Sequence, residues 1–390
     1  MNRIKIHNFG PVKDVDIKLS KLMVFIGSQG TGKSTIAKLL TIFSDVFWMA
    51  RLSDNKDPFV EFKNMGIEKY FAQDTFIEYW SMDCVCIMYK DGSFSISIDD
   101  YSPEEIRKIC VSLVGEFTNG TLNELGYTVD DSETRMSMKK HHNLLRAKTR
   151  LACYIPAERN MTSVVSSSLA NIVLSKIPLP NTLMEYMSLF ERARNHYSTY
   201  DASFLGVRYD KDRGHDCISV LGNTEKQLPL EECSSGIQSA LPMLMVSDYA
   251  CEEKSFDTFV VEEPEQNLFP TNQKEVLNRL ISIANREECQ YMIINTHSPY
   301  LLSALNVSML SDRISHTKGY EKAVDNIVPP QFRMNSTNVS VFSLGEETYC
   351  KSIIDEKTGL ISVNYLDVVS DSISSDFNRL YQIYLKTIQK

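Results

Sequence analysis

Hydrophobic and polar positions alternate from the start of the chain. Met1-Asn2-Arg3-Ile4-Lys5-Ile6 has the period of a half-buried strand. Leu22 to Ile26 is a short, unbroken apolar run, which suits a strand covered on both faces. From Ser34 to Ile42 the apolar residues return at helical spacing. Two more apolar strands are predicted later, one ending in Val260-Val261 before Glu262-Glu263-Pro264, the other running from Gln290 to Asn295. An apolar helix is expected from Ile237 to about Tyr249, with Ser234 or Ser235 as its N-cap.

The intervening stretches have their own patterns. Met82 to Tyr89 and Ser93 to Ile98 alternate around Lys90-Asp91-Gly92, a hairpin signal. Ser102-Pro103-Glu104-Glu105 opens a helix with a cap, a Pro in the first turn and a capping-box Glu. Asn119 to Ser137 is polar and is read as mobile. Thr162 to Tyr200 reads as helical, broken at Pro178 and Pro180, and lacks a sustained heptad. Val339 to Leu344 and Thr348 to Ile354 form a second expected hairpin. Ile373, Phe377, Leu380, Tyr384 and Ile388 then recur at helical spacing, giving a final helix with one apolar face for the body of the protein or another subunit.

Composition narrows the class. The 390 residues are enough for one large or two medium domains, and 43 % hydrophobic with 23 % charged is ordinary for a soluble globular protein. No apolar run is long enough to span a bilayer, and the N-terminus lacks a signal-peptide core. The nine Cys are scattered, and Cys84-Val85-Cys86 suits neither a zinc knuckle nor a redox motif. Free thiols in a reducing cytoplasm are the expectation. A net charge of −9 argues against nucleic-acid binding by the chain as a whole. Lys139, Lys140, Arg146, Lys148 and Arg150 nevertheless cluster, with His141 and His142 nearby. They read either as a solvated face or as a track for a nucleic-acid backbone.

The candidate chemistry sits where predicted strands end. Gly27-Ser28-Gln29-Gly30-Thr31-Gly32-Lys33-Ser34-Thr35 fits G-x-x-x-x-G-K-[ST] between a strand and a helix. Bare backbone N–H groups at such a turn close around phosphate oxygens, and the helix N-terminus adds positive charge. Lys33 is expected to reach the β- and γ-phosphates, and Ser34 to ligate Mg²⁺. Glu262 and Glu263 provide adjacent carboxylates, one for the metal, the other to orient and polarise water. His297, in Thr296-His297-Ser298-Pro299, follows another strand and is placed to meet a γ-phosphate or the attacking water. Tyr154-Ile155-Pro156-Ala157-Glu158-Arg159-Asn160 is expected to line the site, with Glu158 or Arg159 facing phosphate or water.

In this order the elements resemble the ABC-type ATPase head of the SMC and RecF-like branch. Ile4 to Lys13 looks like that branch's first strand and turn, Val261 to Pro270 like its Walker B and D-loop, and Asn295-Thr296-His297-Ser298 like its switch histidine. The resemblance implies an α/β fold: a mixed, mainly parallel core sheet, an antiparallel β subdomain and a helical insertion or lid. It implies a head over 1–310, with a β-rich lid insertion at 44–150 and a helical insertion at 160–200. Residues 311–390 would then add a hairpin and helix packing on the head. No Toprim nuclease is expected.

The resemblance also implies roles. ATP would lie on Gly27 to Thr35, with Mg²⁺ on Ser34 and Glu262. Glu263 would be the catalytic carboxylate and His297 the switch residue. Ser235, Gly236 and Gln238 match the signature that reaches the opposite subunit's nucleotide, so two heads would sandwich ATP as a dimer or a multiple of dimers. Glu262 stands where the family usually has Asp, and Ile237 where it usually has Gly. No Q-loop glutamine is apparent. Slow turnover suited to a switch is the expectation. Short heads of this kind resemble the ATPases of anti-phage defence operons such as Septu, PARIS and some retrons, where a separate effector protein does the damage. A RecF-like DNA-repair ATPase and a nucleotide-gated scaffold with little turnover are the alternatives.

Overall fold

The computed structural model describes residues 2–81, 85–98, 101–108, 151–165, 178–212, 215–222, 227–254, 256–345, 349–362, 374–375 and 377–381. Its centre is a six-stranded sheet of β3 (Leu22–Gly27), β7 (Leu151–Ile155), β12 (Phe256–Glu262), β13 (Tyr291–Thr296), β14 (Val339–Leu344) and β15 (Cys350–Ser352), ordered β15-β14-β3-β13-β12-β7. All pairs are parallel except β14 with the edge strand β15. β3, β12 and β13 are buried almost from end to end because both faces of this sheet are covered.

On one face lies α1 (Lys33–Ser44), which buries Ile36, Leu39, Leu40 and Phe43 against Met23, Phe25, Val260 and Ile293. Outside α1 is a five-stranded antiparallel sheet, ordered β2-β1-β4-β5-β6. It is built from β1 (Arg3–Phe9), β2 (Val12–Lys18), β4 (Phe71–Ser81), β5 (Val85–Lys90) and β6 (Ser93–Ile98). The strands expected within 44–150 therefore continue the sheet that the N-terminus begins. The β5–β6 hairpin turns on Asp91 and Gly92, both at positive φ. Between the layers run α2 (Val46–Ser53), capped by Asp45 on the Phe47 N–H, and α3 (Val60–Asn64). Their contacts are largely aromatic: Phe43 lies 5.3 Å from Trp48, and Phe62 lies 5.3 Å from Phe94. The Ser102 capping box forms as expected, with Glu105 accepting from the Ser102 amide at 2.8 Å.

The opposite face of the core sheet is helical. It carries α5 (Asn181–His196), α6 (Ser235–Glu252), α7 (Pro270–Ala284) and α8 (Pro299–Ser315). The helical reading of Thr162 to Tyr200 holds for α4 (Met161–Val165) and α5; residues 166–177 lie outside the described residues. Its end is corrected, because Thr199–Ala202 is β8. This strand opens a four-stranded antiparallel sheet with β9 (Val207–Asp212), β10 (His215–Val220) and β11 (Gln227–Leu228), which the pattern had not signalled. Cross-strand pairing of Tyr200 with Tyr209 decides its conformation where local pattern did not.

Tyr200 also donates to Asp248, a fully buried carboxylate on α6 that Arg279 and Arg286 hold at 2.7 and 3.1 Å. Asp248→Ala would leave the Tyr200 hydroxyl without its buried acceptor, while both arginines, about one-third exposed, can reach water. It is expected to cost about 1–3 kcal/mol in a urea melt.

The C-terminal hairpin forms, and its first strand enters the core sheet as a parallel neighbour of β3. In the described part of the final helix, Phe377 and Leu380 stand 64 % and 66 % exposed. The polar stretch Asn119 to Ser137 and the basic cluster of Lys139, Lys140, Arg146, Lys148 and Arg150 lie outside the described residues.

Candidate active site

The carboxyl ends of β3, β13 and β12 are adjacent, and each delivers a predicted residue. Register pairs Ile26 with Thr296 and Asn295 with Glu262. This sets the loop after β3, His297 after β13, and Glu262 with Glu263 at the end of β12 side by side.

The loop turns tightly into α1. Gly32 occupies the N-cap at φ 96°, and a Cβ there would meet Tyr349 and Val12 at 2.8 Å. The Tyr349 hydroxyl, from the C-terminal hairpin, lies 2.5 Å from the Thr31 carbonyl and 2.8 Å from that of Pro11, so one donor braces both turns. The Thr31 hydroxyl bonds the Ser28 carbonyl at 2.9 Å. Ser28, Gln29 and Gly30 are exposed, whereas Lys33 and Thr35 are buried. The Lys33 ammonium folds back onto the carbonyls of Gly27 and Ser28 at 2.8 and 2.9 Å. Burial pushes its pKa down, against the pull of Glu262, Glu263 and Glu265.

Ser34 and Glu262 meet directly: the hydroxyl donates to Oε2 at 2.9 Å. Glu262 is only 4 % exposed, and Oε1 also accepts from the Tyr154 hydroxyl and the Asn295 amide, each at 2.9 Å. Burial raises the Glu262 carboxyl above the ordinary range, while bonds from Asn295, Ser34 and Tyr154 act to keep it ionised.

Glu263 leaves the strand in the left-handed region, at φ 45°. Its amide donates to the Asn295 carbonyl at 2.8 Å. That bend brings Glu263 Oε1 to 3.5 Å from His297 Nε2. Both side chains are about one-third exposed, open enough to meet a ligand. The His297 pKa is lowered by burial and by Lys33, opposed by Glu263 and the Gly27 carbonyl. Glu265 fixes the histidine's backbone, accepting from the Thr296 hydroxyl at 2.8 Å and the His297 amide at 2.7 Å.

A cleft of about 590 Å³ opens beside Ser34, Glu262 and Glu263, and Lys38, Lys63 and Glu158 also line it. Glu158 thus faces the site. Of the two alternatives Arg159 is the one turned away: it is fully buried and bonded to backbone carbonyls. Tyr154, Asn295 and Glu265 carry no signal of a role of their own in the sequence, although each lies within or beside a motif.

The signature-like residues lie elsewhere. They belong to α6, which covers the face of the core sheet opposite α1. Ser235 is exposed at the first turn of α6. Ser234 takes the N-cap, but its side chain makes no cap hydrogen bond. Gly236 is pressed against the Asn267 carbonyl, which a Cβ would meet at 2.7 Å. The Gln238 amide is used internally, accepting from Ser163 at 2.8 Å and donating to the carbonyls of Cys233 and Glu231 at 2.7 and 2.9 Å.

This donor set fits Mg²⁺ and a nucleotide. Mg²⁺ takes hard oxygens and is held by one or two protein groups together with substrate phosphates. One buried carboxylate meeting one hydroxyl beside a buried ammonium is such a set. Among the described residues no group of three His, Cys, Asp or Glu forms an all-protein metal cage.

A family model described as an AAA ATPase domain matches residues 1–142 and 161–302. The OLD nuclease of Thermus scotoductus is 21 % identical over 326 residues, which is 77 % of this chain and 59 % of that protein. The chain thus spans about three-fifths of that relative's length. Among solved structures, an Smc head bound to the C-winged helix domain of ScpA matches at 13 % identity and a TM-score of 0.41, over 91 % of this chain and 98 % of that one. The SMC head domain from Thermotoga maritima matches at 14 % and 0.34, over 77 % and 90 %.

Proposed function

The chain belongs to the AAA ATPase domain family, and from that premise we propose that it is a slow, Mg²⁺-dependent ATPase acting as a nucleotide-controlled switch. The observation that carries this reading is the convergence of Lys33, Ser34, Glu262, Glu263 and His297 at three adjacent parallel strand ends. Lys33 and the exposed loop hold the β- and γ-phosphates. Ser34 and Glu262 would hold Mg²⁺, whose chemistry there is to neutralise phosphate charge. Glu263 orients and polarises the attacking water. His297 reports on the γ-phosphate from its place beside Glu263 and Lys33.

Dimerisation around ATP is part of the proposal. Ser235 is exposed at the N-terminus of the 18-residue helix α6, on the face of the sheet opposite α1. A helix N-terminus favours an anion, and a second copy is the source of one that this geometry suits. The switch would then hold or release a separate effector protein in the cytoplasm. The setting in bacterial anti-phage defence rests on the resemblance alone.

The direct test is phosphate release from ATP by the purified chain. Hydrolysis that requires Mg²⁺ and stops with EDTA is expected; release no greater than a blank would overturn the enzymatic reading.

A further inference from the structure

Arg159 is a buried cation that the nucleotide chemistry above does not use. It is 0 % exposed and follows β7 in a short 3-10 turn, Ala157–Asn160, that leads into α4. It lies in the interval between the two segments that the family model matches. Taking a guanidinium out of water costs several kcal/mol, so its bonds must return something. They go to main-chain carbonyls. Nη1 donates to Glu262 at 2.5 Å and to Pro156 at 3.1 Å, and Nη2 donates to Glu263 at 2.6 Å.

Those carbonyls bracket a strained residue. Glu263 is not glycine, yet its φ is 45°, a conformation costing about 1 kcal/mol or more. Something must over-determine it. On one side the Glu263 amide is held by the Asn295 carbonyl at 2.8 Å. On the other, Arg159 grips the two successive carbonyls. Relaxation toward an extended backbone would swing the Glu263 carboxylate away from His297.

The same segment reaches a second place. Ser163, one turn beyond Arg159, donates to Gln238 on the first turns of α6. Gln238 in turn ties down the carbonyls of Glu231 and Cys233, which lead into that helix. Residues 156–163 thus join the exposed N-terminus of α6 to the catalytic turn by direct hydrogen bonds.

We propose that Arg159 is a positioning residue that sets the hydrolysis rate by holding Glu263 in its left-handed conformation, with Ser163 and Gln238 linking that hold to the N-terminus of α6. The proposal rests on reading Glu263 as the carboxylate that orients water. If a second copy's phosphates sit on Ser235, this link tells one site that the other is filled.

The test compares Arg159→Lys, Arg159→Met and Ser163→Ala with the parent chain. It reads kcat, affinity for a fluorescent ATP analogue, and hydrogen–deuterium exchange of peptides covering 260–268. Arg159→Met is expected to lower kcat about 10- to 100-fold, the scale of an ångström-sized misplacement, with analogue affinity within about 3-fold of the parent. Exchange over 260–268 should quicken at the same time. Arg159→Lys, whose ammonium still donates to carbonyls, should recover part of both losses. Ser163→Ala should quicken exchange over 260–268 to a smaller degree. Unchanged exchange in Arg159→Met and Arg159→Lys overturns the proposal even if the parent hydrolyses no ATP, whereas quickened exchange in the variants of an inactive parent keeps Arg159 as the residue that holds the Glu263 turn and overturns its effect on rate together with the enzymatic reading. Equal loss of kcat and affinity with no recovery in Arg159→Lys also overturns it, because a merely structural arginine behaves that way. If Arg159→Met does not fold, the Lys and Ala variants decide by the same two readouts. Unchanged exchange over 260–268 in Ser163→Ala removes the link to α6.

Discussion

Glu263→Gln is expected to slow ATP hydrolysis by about 100-fold or more while ATP binding stays within a few-fold of the parent. The size follows from the role. A positioned base contributes on the order of 10²–10⁴ in rate, and an amide cannot accept the proton. Glutamine keeps the shape, and its backbone can keep the bond from the Glu263 amide to the Asn295 carbonyl. Binding is spared because Lys33, Ser34 and the loop are untouched, and Glu262 still meets Ser34. Single-turnover kinetics alongside equilibrium binding separate the two effects. A Glu263→Gln chain that turns over at the parent rate would mean that another group handles the water.

Lys33→Met is expected to weaken ATP binding about 10- to 100-fold and to carry hydrolysis down with it. In the described structure the ammonium is buried and bonded to two loop carbonyls. In the proposed function those neutral acceptors would be exchanged for charged phosphate oxygens when nucleotide binds. Hydrogen bonds to charged groups are worth about 1.5–3 kcal/mol, and each 1.4 kcal/mol is tenfold in affinity. Titration of a fluorescent ATP analogue measures the loss. Unchanged affinity would show that the loop is a structural turn. The two variants are therefore expected to fail differently, one at the chemical step and the other at binding.

The parts of the site that were legible in the sequence are local. Nine successive residues, Gly27 to Thr35, carry the loop, and apolar runs ending in Glu262-Glu263 or in Thr296-His297 mark strand ends. Their flanking strands and helix fall within a residue or two of expectation. What was not legible depends on contacts between distant positions. Tyr154 and Glu262 are 108 positions apart, and Arg159 and Glu262 are 103 apart. A lone arginine after a strand reads as a phosphate ligand until the fold shows carbonyls around it. The β8–β11 sheet was missed for a related reason. Tyr200 is set by its pairing with Tyr209 and its bond to Asp248, neither of which leaves a local periodic mark. The C-terminal hairpin was readable as a hairpin, but its place beside β3 comes from a pairing across some three hundred residues, and such pairings carry little signal in any single segment.

Closure of two copies around ATP, as proposed, is tested most directly by the mass of the Glu263→Gln chain in solution, with and without ATP and Mg²⁺. A 44.5 kDa chain that doubles its mass with ATP and Mg²⁺, and returns when Mg²⁺ is chelated, is the predicted result. A mass that ignores nucleotide, under conditions where the chain demonstrably binds ATP, would contradict the account.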